Sequence, residues 1–314
     1  MNNSISLIKE NIAKVMIGMD QVTELLLASF LAGGHVLLED MPGTGKTVLS
    51  RALAASVDCR FGRIQFTPDL LPGDVTGISY YNQEKGAFVF REGPVFANIL
   101  LADEVNRATP RTQSALLECM GEGQVTVDGV TRVLEDPFFV IATENPVETY
   151  GCFPLPEAQL DRFLMKLSMG NLTPEQEKQM LQRFITEEPL AGLGAVITRE
   201  EIKTLRKACR QIFVHEDLMA YMVALVQKTR LAAGESGQRE GVSPRGTLAL
   251  LRASQGYAMV MGRDYVVPED IKAIAVPVLA HRYICEAEGS RQKEERIRSL
   301  VQTVDLPTED WKKV

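Results

Sequence analysis

Residues 35–47 constrain the fold more than any other stretch. The apolar run His35-Val36-Leu37-Leu38 leads into Asp40-Met41-Pro42-Gly43-Thr44-Gly45-Lys46-Thr47, and a helical pattern begins near Val48. This is the order of a strand, a glycine-rich turn and a helix N-terminus. Gly43 and Gly45 permit backbone angles that a Cβ would block. The N–H groups of the turn and of the helix start then converge on one point and favour phosphate. Lys46 is spaced to reach the β- and γ-phosphates, and the Thr47 hydroxyl to ligate Mg²⁺. The segment therefore predicts a nucleoside triphosphate site. Asp40 stands where the general motif has its first glycine. A plain turn with a surface lysine would explain the glycines, but not Gly-Lys-Thr directly after an apolar strand.

The chain has 314 residues, enough for two domains and a sizeable core. Its net charge of −7 gives no global reason to expect nucleic acid or an anionic membrane as partner. The five cysteines and three histidines are scattered, without zinc-site or disulfide-framework spacing, which fits thiols in a reducing compartment. Met1-Asn2-Asn3-Ser4 lacks the features of a secretory leader. Apolar stretches such as Leu25 to Ala32 are too short to span a bilayer. The expected location is the cytoplasm.

Helical periodicity predicts helices over 4–16 and 20–32, then a strand over 35–39 and a helix burying Leu49, Ala52 and Leu53. A second strand is expected over 61–66, and a hairpin from Gly77 to Phe90 inside the irregular region 67–93. Ile99-Leu100-Leu101-Ala102 reads as a buried parallel strand ending in Asp103-Glu104. A helix over 110–121 comes after it, and then a hairpin from Gly123 to Glu135 that turns at Asp128-Gly129. Phe138 to Ala142 is another buried strand, ending in Thr143-Glu144-Asn145-Pro146. This alternation, continuing to about residue 169, implies a parallel sheet covered on both faces. Strand signals then stop. Capping boxes at Thr173 and Thr198 and helix starts at Ser243-Pro244 and Pro268 predict helices, with a polar loop over 233–242. The expectation is an α/β core over 1–170 followed by an all-helical domain over 171–314.

Phosphoryl transfer to water requires positioned phosphates, a metal, an oriented water and positive charge at the transition state. Asp103 and Glu104 end a buried strand, at the sheet edge where open α/β sheets bind ligands. Mg²⁺ takes few protein carboxylates, so Asp103 suits the metal beside Thr47. Glu104 suits the base that polarises the attacking water. Asn145 ends the next strand and could bond the γ-phosphate or the water, although Asn-Pro is a turn signal in its own right. Arg162 and Arg245 could each stabilise transition-state charge, in cis or from a neighbouring subunit. Taken singly, each is as well explained by a surface ion pair.

On these residues the chain resembles the AAA+ ATPases, and specifically the MoxR family. The resemblance is carried by residues 36–47, Leu101 to Ala108, Gln113 to Glu118, Ala142 to Pro146, Leu155 to Phe163 and Ser243-Pro244-Arg245, in the family's order and over nearly the whole chain. It implies an AAA+ P-loop core followed by an all-α lid. Lys46 and Thr47 would be the Walker A pair, with Pro42, Gly43, Thr44, Gly45 and Val48 around the nucleotide. Asp103 and Glu104 would be Walker B, Asn145 sensor 1, Arg162 the arginine finger and Arg245 sensor 2. Ile17-Gly18 would contact adenine. The hairpin in 67–93 is similar to the helix 2 insertion shared with magnesium chelatase, and that over 123–135 to the hairpin before sensor 1. Asp40 is a usual variant in this family, whereas Glu144 stands where the family more often has Gln and is expected to face away from the phosphates.

The resemblance further implies a Mg²⁺-dependent ATPase that works as a ring, expected to be a hexamer, because an arginine finger acts on a neighbour's ATP. Its cycle would remodel, mature or activate client proteins in a chaperone-like way, with a von Willebrand factor A domain partner. Alternatives are a metal-chelatase-like motor subunit, a nucleic-acid remodeller and a nucleotide-gated scaffold with little turnover. The acidic charge disfavours the remodeller, and the presence of Glu104 and Arg162 disfavours the scaffold. Whether Arg245 acts in cis or in trans stays open.

Overall fold

The computed structural model describes residues 2–41, 43–146, 151–185, 189–235, 241–284 and 289–306. Pro42 and residues 236–240 of the polar loop lie outside the described residues. Helices α1 (Asn2–Ala13) and α2 (Asp20–Ala32) lead into β1 (His35–Glu39) and α3 (Lys46–Ser56). Then come β2 (Phe61–Gln65), a short α4 (Pro72–Thr76) and a hairpin of β3 (Gly77–Asn82) and β4 (Ala87–Glu92). β5 (Ile99–Asp103) and α5 (Pro110–Glu122) are followed by a hairpin of β6 (Gln124–Val127) and β7 (Val130–Val133). β8 (Phe139–Glu144), a one-turn α6 (Glu157–Leu160) and β9 (Phe163–Leu167) come next. Among the described residues no strand occurs after β9. The remaining helices are α7 (Pro174–Phe184), α8 (Arg199–Cys209), α9 (Glu216–Glu235), α10 (Pro244–Val260), α11 (Pro268–Leu279) and α12 (Ser290–Gln302). None of the described helices is long and apolar enough to cross a membrane.

Five strands form one parallel sheet in the order β2-β5-β8-β1-β9. β1, β5, β8 and β9 are near-continuous apolar runs, as strands covered on both faces must be. Alternation splits their side chains between two cores. Leu37, Leu100, Ala102 and Val140 face the core built with α5, while Val36, Leu38, Ile99, Leu101 and Ile141 face the core built with α1, α2 and α3. The connections leaving β1 and β8 run in opposite directions along the sheet. The C-terminal ends of these two strands therefore form the switch point at which such sheets hold ligands.

The second core continues without a break through Leu26 and Phe30 into Leu250, Ala253 and Ile274 of the helical region. α10 runs so close to α2 that a Cβ on Gly256 would collide with the Ala28 carbonyl oxygen. The α/β and helical regions thus share one apolar interior.

α1 stops at Ala13, earlier than the periodicity predicts. The Arg183 guanidinium of α7 donates to the Ala13 and Lys14 carbonyls at 2.7 Å each, and so satisfies acceptors that a longer helix would have paired internally. The capping boxes at Thr173 and Thr198 form as predicted, with reciprocal bonds to Gln176 and Glu201. The two hairpins touch where Arg132 lies over the Phe90 ring, 3.7 Å from its centroid.

Candidate active site

The phosphate loop leaves β1 at the switch point. Gly43 and Gly45 have φ of 84° and 92°, a region that L side chains rarely enter, and Gly45 is the last residue before α3. No side chain caps α3, so its first N–H groups remain available to an anion. Lys46 is buried and its ammonium donates to the Asp40 carbonyl at 2.8 Å. Burial lowers its pKa, against an upward pull from Asp103, Asp40 and Glu104. Lys46 therefore faces the acidic strand end.

Thr143 organises that end. Its hydroxyl donates to Asp103 Oδ1 at 2.7 Å and accepts from the Glu104 N–H at 2.8 Å. Glu104 has φ of 55°, an uncommon left-handed conformation for a non-glycine residue, and the Thr143 bond helps to hold it. Asp103 Oδ2 accepts from Arg63 at 2.8 Å. Glu104 Oε2 accepts from Gln65 at 2.6 Å and from Arg107 at 3.1 Å. Asn145, buried, comes next on the end of β8. Arg63, Gln65, Arg107 and Thr143 were given no role by the sequence motifs. The signal that could have found most of them is strand register: Gln65 pairs with Asp103, and Ala102 with Ala142, which brings Thr143 beside Asp103.

The Thr47 hydroxyl and the Asp103 carboxylate are hard oxygen donors suited to Mg²⁺. Among the described residues no three His, Cys, Asp or Glu side chains group to hold a metal unaided. That fits Mg²⁺ in a nucleotide site, where water and phosphate oxygens complete the shell.

A cavity of about 330 Å³ opens beside the loop. Met16, Ile17 and Met19 form one wall, Gly43, Thr44, Gly45 and Val48 the floor, and Leu172, Met180 and Phe184 the wall contributed by α7 and the segment before it. Such an apolar slot beside an anion site suits a flat base. Gly18 does not line it but abuts Gln176 of α7. A larger cleft of about 660 Å³, between α2, α11 and α12, shares no lining residue with this slot.

Arg162 and Arg245 are elsewhere. Arg162 directly precedes β9, and its Nη1 donates to the Leu117 carbonyl at 2.9 Å. Because every strand is parallel, the start of β9 lies on the sheet edge opposite the phosphate loop. A five-residue strand spans about 16 Å, roughly twice the reach of an arginine side chain. Arg245 pairs with Asp161 at 3.2 Å. Buried Arg282 holds the other Asp161 oxygen at 2.7 Å and donates to the Phe163 and Leu164 carbonyls. Burial brings the Arg282 pKa down to about 10, opposed by Asp161. Arg162, Arg245, Arg252 and Arg282 line a cleft of about 510 Å³ that shares no residue with the base cavity.

Burial pushes the Glu144 carboxyl up to about 7; Lys166 opposes this and Glu39 adds to it.

A P-loop sheet with an acidic strand end, followed by helices, defines a class, and comparison with known proteins agrees. The model of the ATPase family associated with various cellular activities (AAA) matches residues 35–165, and that of the AAA lid domain matches 235–300. The chain is 48% identical over 303 residues to the uncharacterised protein YeaC of Bacillus subtilis, covering 96% of this chain and 94% of that one. It is 40% identical over 305 residues to the chaperone MoxR1 of Mycobacterium tuberculosis, covering 94% and 80%. A solved structure of a candidate ATPase from Cytophaga hutchinsonii superposes with a TM-score of 0.88 at 39% identity, covering 98% and 96%. The chain belongs to the MoxR family of AAA+ ATPases.

Proposed function

We propose that the chain hydrolyses ATP to ADP and phosphate with Mg²⁺ in a ring of identical subunits, and that the cycle remodels or activates a client protein. Residues 1–170 carry the nucleotide in this reading and 171–314 act as the lid. The observation that supports it most is the placement of Lys46, Asp103 and Glu104 on one sheet edge and of Arg162 with Arg245 on the other. Within a subunit the arginines beside the phosphate site, Arg63 and Arg107, are engaged by Asp103 and Glu104, whereas Arg162 and Arg245 can meet a nucleotide only on a head-to-tail neighbour.

Lys46 leaves the Asp40 carbonyl for the β- and γ-phosphates. Thr47 and Asp103 would hold Mg²⁺, which would supply charge neutralisation at the phosphate oxygens. Glu104, released from Gln65 and Arg107, orients and deprotonates the attacking water, and Asn145 bonds the water or the γ-phosphate. Arg162 and Arg245 of the neighbour meet the transition-state charge, so Arg245 acts in trans. Ile17 borders the base, and Gly18, the other residue of that segment, packs on Gln176 of the α7 wall. A hexameric ring, a cytoplasmic location and a client with a von Willebrand factor A domain rest on the family resemblance.

The test is a pair of variants. Lys46→Ala is expected to abolish ATP binding. Glu104→Gln is expected to keep binding, stop phosphate release and retain the client on co-purification. Continued hydrolysis by Glu104→Gln would overturn the role of Glu104. A wild-type chain that binds ATP without turnover would leave the scaffold reading in its place.

A further inference from the structure

Asp40 is where the loop departs from the general glycine pattern, and every polar atom it carries is used. Oδ1 accepts from the Met41 N–H at 3.0 Å. Oδ2 accepts from the Met169 N–H at 2.6 Å and from the Ser168 hydroxyl at 3.2 Å. The Asp40 N–H donates to the Glu144 carbonyl at 3.2 Å, and its carbonyl accepts from Lys46. A glycine could make the two backbone bonds and none of the carboxylate bonds.

The partners of Oδ2 matter because they lead the chain into the base cavity. Ser168 and Met169 come directly after β9, and Gly170, Asn171 and Leu172 then line that cavity on the way into α7. The Ser168 hydroxyl also accepts from the Gly170 N–H at 3.3 Å, which tightens this turn. α7 is held at its far end by Arg183 on the α1 carbonyls. Its near end is held through Asp40, which belongs to the phosphate loop itself. Bonds to an ionised carboxylate are the stronger kind of hydrogen bond.

We infer that Asp40 is a positioning residue that ties the phosphate loop to the α7 wall of the base cavity, so that occupancy of the phosphate site and of the base site reinforce each other. The inference rests on the proposed ATP binding. Lys46 must leave the Asp40 carbonyl when it takes up phosphate, and the side chain of the same residue carries that change to Met169. Coupling of this kind is reciprocal. The base should bind better when phosphate is present, and phosphate should order the segment after β9.

The experiment compares ATP with inorganic tripolyphosphate, which lacks the base. In Asp40→Gly, ATP affinity is expected to fall about tenfold while tripolyphosphate affinity stays within about twofold. Asp40→Asn, with one acceptor atom for two N–H groups on opposite sides, should fall between. Parallel loss of both ligands would overturn the inference and make Asp40 a shaper of the phosphate loop alone. Unchanged ATP affinity would overturn it too. Hydrogen exchange on the wild-type chain keeps the test decisive if the variants fail to fold. Tripolyphosphate is expected to slow exchange at Met169 to Leu172, and no slowing there overturns the coupling. A wild-type chain that binds neither ligand would instead overturn the functional reading.

Discussion

Glu144 shows how one buried residue can carry a cost that pH switches. Its carboxyl is pushed up to about 7 by burial, above its ordinary 4.5, so the fold favours the protonated form. Below about 4.5 the group is neutral in both folded and unfolded chains and costs nothing. As pH rises from there to 7 the unfolded chain ionises first, and stability is lost. Above 7 the loss is complete, on the order of 3 kcal/mol. Glu144→Gln removes the ionisation while keeping the shape. Its melting temperature is expected to exceed that of the parent by several degrees at pH 8 and by much less at pH 5. An equal gain at both values would show that the carboxyl is not the cause. At this scale the candidate site was legible wherever its residues are contiguous. Lys46, Asp103 and Glu104 announced themselves as neighbours in a motif. Thr143, Gln65 and Arg63 did not, because their contacts with Asp103 and Glu104 depend on the lateral register of β2, β5 and β8. No local pattern encodes that register.

Elements were legible in proportion to their punctuation. The helices opened by Thr173, Thr198, Ser243-Pro244 and Pro268 carry caps or an N-terminal proline, and each lies where those signals put it. α9 and α12 lie within the stretch expected to be helical, but no start signal marked them individually. α12 is Ser-Arg-Gln-Lys-Glu-Glu-Arg-Ile-Arg-Ser-Leu-Val-Gln, with only Ile297 and Val301 buried, too thin a stripe to read as amphipathic. That the helical region shares its interior with the α/β core was not legible either, because hydrophobic periodicity shows that a helix has a buried face and not which partner covers it. Gly256 held a local hint, since a lone glycine within a helical pattern often marks close packing. Gly256→Ala places a methyl group against the Ala28 carbonyl, and α10 and α2 must separate to admit it. The expected cost is about 1–3 kcal/mol, well above the helix-propensity gain of alanine over glycine. A thermal melt reads it directly. A variant as stable as the parent would show that the two helices part without penalty.

For the whole molecule, the proposed role of Arg162 on a neighbour's nucleotide turns on the parallel sheet. The phosphate loop and Arg162 lie on opposite edges of the same sheet, and no rotamer brings them together. Asp161, clamped between Arg245 and Arg282, ties the helical region to the start of β9, so Arg162 and Arg245 are presented from one face. A subunit therefore offers a phosphate site on one side and an arginine face on the other, the head-to-tail arrangement that closes into rings. This predicts complementation between two variants that are dead for different reasons. Arg162→Ala is expected to bind ATP with parental affinity and not hydrolyse it, and Lys46→Ala is expected not to bind. Mixed in equal amounts and allowed to exchange, they form interfaces in which an intact Lys46 site meets an intact Arg162. Random mixing makes roughly a quarter of the interfaces of this kind, and phosphate release should recover to about that fraction of the parental rate. If Arg162 served its own subunit, no mixture could place both intact groups at one nucleotide, and the rate would stay at the level of the separate variants.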